Sequence, residues 1–305
     1  MNNEFGIRIL FDSSNNIITN NNASNNTEGI ILYGDSNNNS IINNNALYNE
    51  YGILLHSSSN NNLSANIVNL NSDDGIFLYD FSNNNIIKNN IASLNNDSGI
   101  VLSNSSNSII EDNTCSNNRD GIYIISSSNH VIKNNNANLN KINGIRTLHS
   151  KNNVIYINNF INNTDNVYSV WSTNIWNSTE KITYIYKGKT YENYLGNYWS
   201  DYNGTDENND GIGDIHYPID SDKDNYPLMK PFEIYHLAPT ENIFDTGPSE
   251  NPYPSIMGNH TGTITPNQTI NVSKLYTYPC TGTGGHTEYA RILTPSKMSP
   301  FSKPL

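Results

Sequence analysis

A glycine followed by an isoleucine recurs at a nearly constant interval along the first half of the chain. The seven glycines are separated by 23, 23, 23, 24, 22 and 23 residues: Gly6, Gly29, Gly52, Gly75, Gly99, Gly121 and Gly144. A period this short and regular is typical of repeat proteins, in which each unit buries its apolar surface only against its neighbours. The repeat therefore constrains the fold more than any other feature of the sequence.

Each repeat contains three short apolar segments separated by polar residues. The first and third residues after the glycine are apolar, as in Ile53 and Leu55, and this alternation predicts a β-strand with one buried face. A second apolar position follows about eleven residues after the glycine, and a small or apolar one comes later in the repeat. Parallel strands stacked ~4.8 Å apart would join these segments into one continuous core. We predict an all-β fold over residues 1–178, a right-handed single-stranded parallel β-helix with coils of about 23 residues.

Asparagine occupies one position in every repeat, fourteen residues after the glycine. The members of this column are Asn20, Asn43, Asn66, Asn89, Asn113, Asn135 and Asn158. Amides on successive coils lie one strand spacing apart, so they can hydrogen-bond to one another along the stack. The column predicts an inward-facing asparagine ladder.

The composition changes after the repeats, and this change sets the predicted domain boundaries. Residues 179–235 are rich in aromatic and acidic side chains, and we expect them to form a cap over the C-terminal end of the β-helix. Within them, an alternating segment centred on Lys187 and Gly188 predicts a β-hairpin. Residues 236–253 are interpreted as a linker, and residues 254–305 as a truncated β-rich module.

One acidic loop of the predicted cap has the spacing of a calcium-binding loop. Its core, Asp206-x-Asn208-x-Asp210-Gly, matches the first half of an EF-hand-type loop, in which alternate residues direct oxygens to one side of the turn. The bidentate acid expected at the twelfth position is replaced by Tyr217, whereas Asp214 at the ninth position supplies a further carboxylate. The motif predicts a structural Ca²⁺ site formed by Asp206, Asn208, Asp210 and Asp214. The alternative is a turn whose polar side chains are satisfied by its own backbone.

The outward positions of the first strand form an apolar and aromatic stripe along the predicted β-helix. Its ring-bearing members are Tyr33, His56, Phe77, Tyr79 and Tyr123. Aromatic rings with polar tips suit the faces of sugars, but such a stripe also marks protein interfaces or reflects cross-strand stacking alone. The outward positions contain no carboxylate, and the acidic pair Asp73-Asp74 is interpreted as a solvated turn. No catalytic residue is therefore predicted.

The repeat resembles a known family of β-helix proteins. The pattern Gly-Ile-x-Leu, followed by Ser-x-Asn-Asn and Ile-x-x-Asn, is similar to the repeats of carbohydrate-binding and sugar-hydrolase (CASH) domains and especially to their NosD-like branch. This resemblance covers residues 1 to about 178, and the segment from Gly196 to Met229 resembles the closing segment of such proteins. The resemblance implies a protein of the archaeal cell-surface type. For the NosD-like branch it also implies a role in the maturation of a copper enzyme.

The net charge and the distribution of charged and metal-binding residues argue against several classes of function. The formal net charge of −12, without a basic run, argues against binding to nucleic acid, and no segment reaches the length of a membrane span. The seven histidines are scattered, so copper is not expected. Because the repeat already runs at Gly6, we expect a capping element and a signal peptide to precede residue 1.

These features together predict a non-catalytic protein that is secreted or displayed on the cell surface. It would serve as a structural scaffold or as a module that contacts carbohydrate or protein, with glycans or other envelope proteins as its partners. The alternatives are a polysaccharide lyase or hydrolase, and a NosD-like accessory factor for copper-enzyme maturation.

Overall fold

The structure is a computed structural model that describes residues 3–220 and 222–237. These residues form an all-β solenoid of about eight coils of about 23 residues, which confirms the predicted parallel β-helix. The first sheet has eight parallel strands: Asn3–Leu10, Asn26–Tyr33, Tyr51–His56, Ile76–Tyr79, Ser98–Ser103, Asp120–Ile125, Asn143–Leu148 and Asp165–Val170. The second sheet also has eight parallel strands: Ile17–Thr19, Ser40–Ile42, Asn62–Ser64, Ile86–Lys88, Ile109–Glu111, Val131–Lys133, Lys151–Tyr156 and Thr173–Ile175.

The third side of the solenoid is held by shorter pairings. Five single parallel bridges connect successive coils on this side, from Asn22 in the first coil to Asn136 in the sixth. They continue into a three-stranded sheet formed by Asn136–Asn138, Asn159–Ile161 and Tyr198–Trp199. Each coil thus presents its residues in register with the coils above and below it.

Apolar side chains of consecutive coils form continuous buried columns. In the first sheet, Ile53 pairs with Ile76, and both are fully buried. On the third side the column contains Ala92, Cys115 and Ala137, which are also fully buried. Burial without a charged partner raises the pKa of the Cys115 thiol, so this side chain serves as a small apolar residue of the core.

The recurring glycine marks a point where stacked coils touch. A Cβ atom added to Gly75 would lie 2.6 Å from the carbonyl oxygen of Gly99 and 2.7 Å from Nδ2 of Asn95. Any side chain at this position would force the coils apart, which explains why glycine recurs there.

Asparagines of successive coils form ladders along the solenoid. The one called here the central ladder contains Asn21, Asn44, Asn66, Asn90, Asn113, Asn135, Asn158 and Asn197. Oδ1 of Asn66 accepts hydrogen bonds from the backbone N–H and the side-chain amide of Asn44, at 2.9 and 3.1 Å. Its Nδ2 donates to the carbonyl oxygen of Ile41 at 2.8 Å and to Oδ1 of Asn90 at 2.9 Å. The ladder therefore satisfies polar groups that the coils bury.

The ladder prediction is wrong at three of its seven positions. Asn66, Asn113, Asn135 and Asn158 lie in the central ladder. Asn20, Asn43 and Asn89 instead are exposed turn residues with φ of 57°, 56° and 56°, and the residue after each of them takes the ladder position.

The shift arises in the turn that follows the strand of the first sheet. In the three affected coils this turn has two consecutive left-handed residues: Phe11 and Asp12, Gly34 and Asp35, Asp80 and Phe81. The third coil has a single left-handed residue at this turn, Ser57. The additional residue moves the rest of the coil by one position, so the interval from glycine to ladder asparagine is not constant.

The cap covers the last coil with aromatic rings. Trp199 stacks on Phe160 of the solenoid with centroids 4.6 Å apart, and on Tyr217 with centroids 4.6 Å apart. Trp199 is fully buried. Tyr217 belongs to an antiparallel pair of strands, Tyr217–Ile219 and Asp222–Asp224. The apolar core of the solenoid thus continues into the cap instead of ending at solvent.

The predicted hairpin is present in the cap. Strand Ile182–Tyr186 pairs antiparallel with Lys189–Asn193. The two turn residues, Lys187 and Gly188, have φ of 48° and 77°, the left-handed conformation that a two-residue hairpin loop requires.

The cap also includes residues that the sequence assigned to the linker. Strand His236–Leu237 pairs with the strand Ile182–Tyr186, so the chain is still part of the cap at these positions. The remaining linker residues, 238–253, and the predicted module at 254–305 lie outside the described residues. The helical content of the described residues is the 3₁₀ turn Phe232–Ile234, and no helix there has the length and apolarity of a membrane span.

Candidate functional site on the outer face of the first sheet

Four rings on the outer face of the first sheet form one surface, here called the aromatic platform: Tyr33, His56, Phe77 and Tyr79. The strand register aligns Tyr33 with His56 and His56 with Tyr79 on three consecutive coils. The rings of Tyr33 and His56 are stacked, with centroids 4.6 Å apart and an interplanar angle of 18°. His56 lies 5.1 Å from Tyr79, and Phe77 lies 5.5 Å from Tyr79. Tyr79 is 38% exposed, and the other three rings are half-buried.

Tyr123 does not belong to the platform, although the sequence placed it in the same stripe. Val101 stands between Phe77 and Tyr123 in the strand register and is 4% exposed. The ring of Tyr123 instead lies under the guanidinium group of Arg146, at 4.6 Å. Four of the five predicted contact residues are therefore brought together, and the fifth is separate.

His56 is held between two tyrosines and near one carboxylate. Its Nε2 lies 3.9 Å from Oδ2 of Asp80, and within the described residues its Nδ1 has no hydrogen-bond partner. Ring stacking therefore sets the position of this imidazole more than hydrogen bonding does.

Three aspartates lie together at the start of the strands in the same sheet and are here called the acidic cluster: Asp73, Asp74 and Asp97. Each offers one carboxylate oxygen to a group whose atoms lie within 4.8 Å of one another. Oδ1 of Asp74 accepts the backbone N–H of Ser98 at 2.8 Å, and Oδ1 of Asp97 accepts Nη1 of Arg119 at 2.9 Å. The interpretation of Asp73-Asp74 as a solvated turn is wrong for Asp74, which is only 7% exposed.

The electrostatics of the cluster follow from this burial. Loss of solvent, opposed by the hydrogen bond from the Ser98 N–H and reinforced by the charges of Asp73 and Asp97, raises the pKa of Asp74 to about 7. The hydroxyl of Tyr51 is in turn affected by Asp73, since burial and then the Asp73 carboxylate raise the pKa of Tyr51. The cluster is therefore a strongly negative site with one carboxyl group that titrates near neutrality.

Sequence reasoning missed Asp97 and Tyr51, although a signal was available. Glu50, Asp73 and Asp97 all stand two residues before a repeat glycine, so the stacking of coils places them in one column. Backbone hydrogen bonds confirm the column, because Asp73 N–H donates to the carbonyl oxygen of Glu50 and Asp97 N–H to that of Asp73. The column becomes visible only when the residues before the glycine are aligned as well as those after it.

The predicted calcium loop is folded by hydrogen bonds among its own residues. The backbone N–H of Asp210 donates to Oδ1 of Asp206 at 3.0 Å and to Oδ1 of Asn208 at 2.9 Å, so these oxygens face one point. Oδ2 of Asp214 accepts hydrogen bonds at the start of the loop instead, from Glu207 N at 2.8 Å. Oδ1 of Asp206 and Oδ1 of Asn208 thus converge, whereas the Asp210 carboxylate accepts the Ile212 N–H at 2.9 Å and Nδ2 of Asn208 at 3.1 Å, and Asp214 is directed elsewhere.

The family comparison covers most of the solenoid. The sequence profile of the family described as "Periplasmic copper-binding protein (NosD)" matches residues 1–94 and 72–204, about two thirds of the chain. No curated protein matches the chain.

Solved structures with a similar fold include enzymes that act on polysaccharides. A mutant of the periplasmic alginate epimerase AlgG is 20% identical, with a TM-score of 0.52, and the match covers 56% of this chain and 46% of that one. The A-module of the mannuronan C-5 epimerase AlgE6 from Azotobacter vinelandii is 16% identical, with a TM-score of 0.43, over 54% of this chain and 53% of that one. At such identities the likeness to AlgG shows the β-helix fold alone, and this chain spans less than half of that protein's length.

Proposed function

Since the chain belongs to the NosD family of β-helix proteins, we propose that it is a non-catalytic envelope or extracellular protein whose aromatic platform contacts a glycan. The observation that carries the proposal is the row of neighbouring rings on three consecutive coils, with Tyr33 stacked on His56 and Tyr79 tilted by 54° against His56. The family description is that of a periplasmic protein, which supports a location outside the cytoplasm.

The geometry of the platform suits a linear sugar chain. Rings with polar edges offer both an apolar face and hydrogen-bonding tips to a sugar. Successive coils lie ~4.8 Å apart, so the three stacked rings extend about 10 Å along the solenoid, comparable to a short stretch of polysaccharide. The surface is open and elongated, which fits a polymer better than a small ligand.

The charge of the same face restricts the glycan. The acidic cluster and its neighbours Glu28 and Glu50 lie beside the platform on adjacent coils. The chain as a whole carries a net charge of −12. A polyanionic glycan would be repelled unless cations bridge the two surfaces, so the proposed ligand is an uncharged or cation-bridged polysaccharide.

Binding to a glycan array tests the proposal. We expect the unmodified protein to bind at least one glycan, and Tyr33→Ala and Tyr79→Ala to weaken that binding about fivefold, since a ring contact contributes ~1 kcal/mol. Tyr123→Ala is the matched control, because this tyrosine lies on the same sheet outside the platform, and binding should change less than twofold. Equal binding by all three variants would refute the platform. Self-association that is lost in Tyr79→Ala, without glycan binding, would point to a protein interface instead.

A second candidate is a polysaccharide lyase or hydrolase, favoured by the acidic cluster. Asp74, with its pKa raised to about 7, has the acidity of a general acid or base. It lies near Tyr51, whose ring is 5.8 Å from that of Phe77 in the platform. An assay for new reducing ends and for unsaturated sugars on glycans that bind would reveal turnover. Turnover that is lost in Asp74→Asn would establish the enzyme and refute the non-catalytic proposal.

The third candidate, copper handling, does not fit the described residues. Copper prefers imidazole, thiolate and thioether ligands. In the described parts of the chain, the group of three or more His, Cys, Asp or Glu side chains with converging ligand atoms is the acidic cluster, which offers carboxylates alone. His130 is buried in an asparagine ladder, where its Nδ1 accepts the Ser108 N–H at 3.0 Å, and Cys115 is buried in the core. This arrangement of described residues does not suit copper binding.

A further inference from the structure

The acidic cluster has more carboxylate oxygens than neighbouring hydrogen-bond donors. The Ser98 N–H occupies one oxygen of Asp74, and Arg119 occupies one oxygen of Asp97. The second oxygens of both side chains and both oxygens of Asp73 have no hydrogen-bond donor of normal geometry among the described residues. Three carboxylates with one guanidinium group leave a net charge of −2 when all are ionised.

A buried hydroxyl beside the cluster also lacks a partner. Ser98 is 1% exposed, and its Oγ makes no hydrogen bond of normal geometry within the described residues. This Oγ lies beside the Asp74 carboxylate, at a geometry too poor for a hydrogen bond. An unpaired buried hydroxyl is costly, so its orientation toward the cluster is an independent sign of a missing ligand.

We infer that Asp73, Asp74 and Asp97, with Ser98 Oγ beside them, form a binding site for a hard divalent cation, with Ca²⁺ as the best fit. The carboxylate oxygens lie within 4.8 Å of one another. Oxygens on opposite sides of Ca²⁺ are separated by about 4.6–5.2 Å, given Ca–O distances of 2.3–2.6 Å. The cation would neutralise the cluster's net charge, and its oxygen ligands exclude a preference for soft metals.

The site is distinct from the loop at residues 206–214. It lies where the fourth and fifth strands of the first sheet begin, whereas that loop belongs to the cap. Its ligands come from two adjacent coils, so a bound cation would connect these two coils at the start of their first-sheet strands.

Cation binding is measured on the full chain without any glycan, so its outcome is separate from the test of the aromatic platform. Calorimetric titration with CaCl₂ and luminescence titration with Tb³⁺, excited through tyrosine, report the site, since Tyr51 lies against Asp73. In the Asp210→Ala background, which removes the proposed cap-loop site, we expect saturable binding that is weakened at least tenfold by Asp73→Asn and by Asp74→Asn. In Asp74→Asn the side-chain oxygen can still accept the Ser98 N–H, and Asp73 is half-exposed, so circular dichroism should show both variants folded.

Asp210→Ala, in the cap loop, is the matched background, because binding that remains in it does not come from that loop. Binding that is retained in Asp210→Ala and lost when either cluster substitution is added to it supports the inference. Absence of saturable Ca²⁺ and Tb³⁺ binding in the unmodified protein overturns it. Binding that is unchanged in both cluster variants overturns it as well.

Discussion

Oδ2 of Asp224 accepts a hydrogen bond from the backbone N–H of Asn197 at 2.7 Å, and this contact ends the central ladder on a carboxylate. Every ladder amide donates toward the following coil, so unpaired donors would accumulate at the C-terminal end of the solenoid. A carboxyl group can accept from several donors on its two oxygens, which makes it the suitable group at that end. Asp222 and Asp220 act alike, accepting the backbone N–H groups of Asn174 and Ser169 at 2.8 Å each.

Asp224→Asn should destabilise the protein by about 2–3 kcal/mol. Both oxygens of Asp224 accept hydrogen bonds, Oδ2 from Asn197 and Trp199 and Oδ1 from Tyr226, so an amide N–H₂ would face a donor in either orientation. Urea unfolding monitored by tryptophan fluorescence measures the change.

Asp222→Asn is the control for that experiment. Both of the hydrogen bonds that Asp222 accepts go to Oδ2, so an amide can keep its oxygen on the donors. A loss of less than ~1 kcal/mol is expected. Equal losses of stability in Asp224→Asn and Asp222→Asn would show that the stability of the ladder end does not depend on how many carboxylate oxygens accept hydrogen bonds.

Stability should decrease as the pH rises from about 4 to about 7. Burial raises the pKa of Asp224 to about 7, although hydrogen bonds from Asn197 and Trp199 lower it. The unfolded chain releases this proton near pH ~3.9, so between the two values the folded state binds more protons than the unfolded state. The stability contributed by Asp224 is thus fully present below about pH 4 and is lost as the pH rises toward 7.

Unfolding free energies measured at several pH values test this dependence. The slope should be shallower in Asp224→Asn than in the unmodified protein. The slope should not vanish in the variant, because the pKa of Asp74 is also raised and makes stability depend on pH with the same sign. An unchanged slope in the variant would show that Asp224 is ionised throughout this range.

Two adjacent asparagines should respond differently to substitution. Asn90→Ala removes the side chain that accepts the backbone N–H of Asn66 and donates to the carbonyl oxygen of Leu63, each at 2.9 Å, so a loss of about 3 kcal/mol is expected. Asn89→Ala affects an exposed residue with φ of 56°, and the left-handed backbone should cost about 1 kcal/mol. Thermal unfolding of the two variants measures the difference, and a larger loss in Asn89→Ala would contradict the observed register.

The loop at residues 206–214 remains a proposed structural Ca²⁺ site. Oδ1 of Asp206 and Oδ1 of Asn208 face one point. Ca²⁺ bound there by the folded form alone should stabilise the cap by ~2.7 kcal/mol at a hundredfold excess over its dissociation constant. Chelation should lower the melting temperature of the cap in the unmodified protein. In Asp210→Ala that sensitivity should disappear. Superimposable melts with chelator and with calcium would identify the loop as a turn held by its own backbone.

The stripe of rings could be read from the sequence only in part. Strand alternation correctly places Tyr33, His56 and Tyr79 on one outer face, since neighbouring coils repeat the same register. The same reasoning also predicted Tyr123 as a member of the stripe. Periodicity shows which residues lie in one column, but it does not show which rings in that column are in contact. The intervening Val101, with its small buried side chain, interrupts the stack.

The sequence by itself determined the solenoid, its parallel strands and the inward columns, because a residue type that recurs every coil must meet its own copies in a stacked structure. It could not determine the register of each turn, since one extra left-handed residue, such as Asp12 or Phe81, shifts the later side chains of the same coil by one position. Nor could it show that Asp74 is buried against Asp97, which lies more than twenty residues later. Only the stacking of coils decides which side chains of different repeats lie side by side, and that contact sets the charge and the acidity of the candidate site.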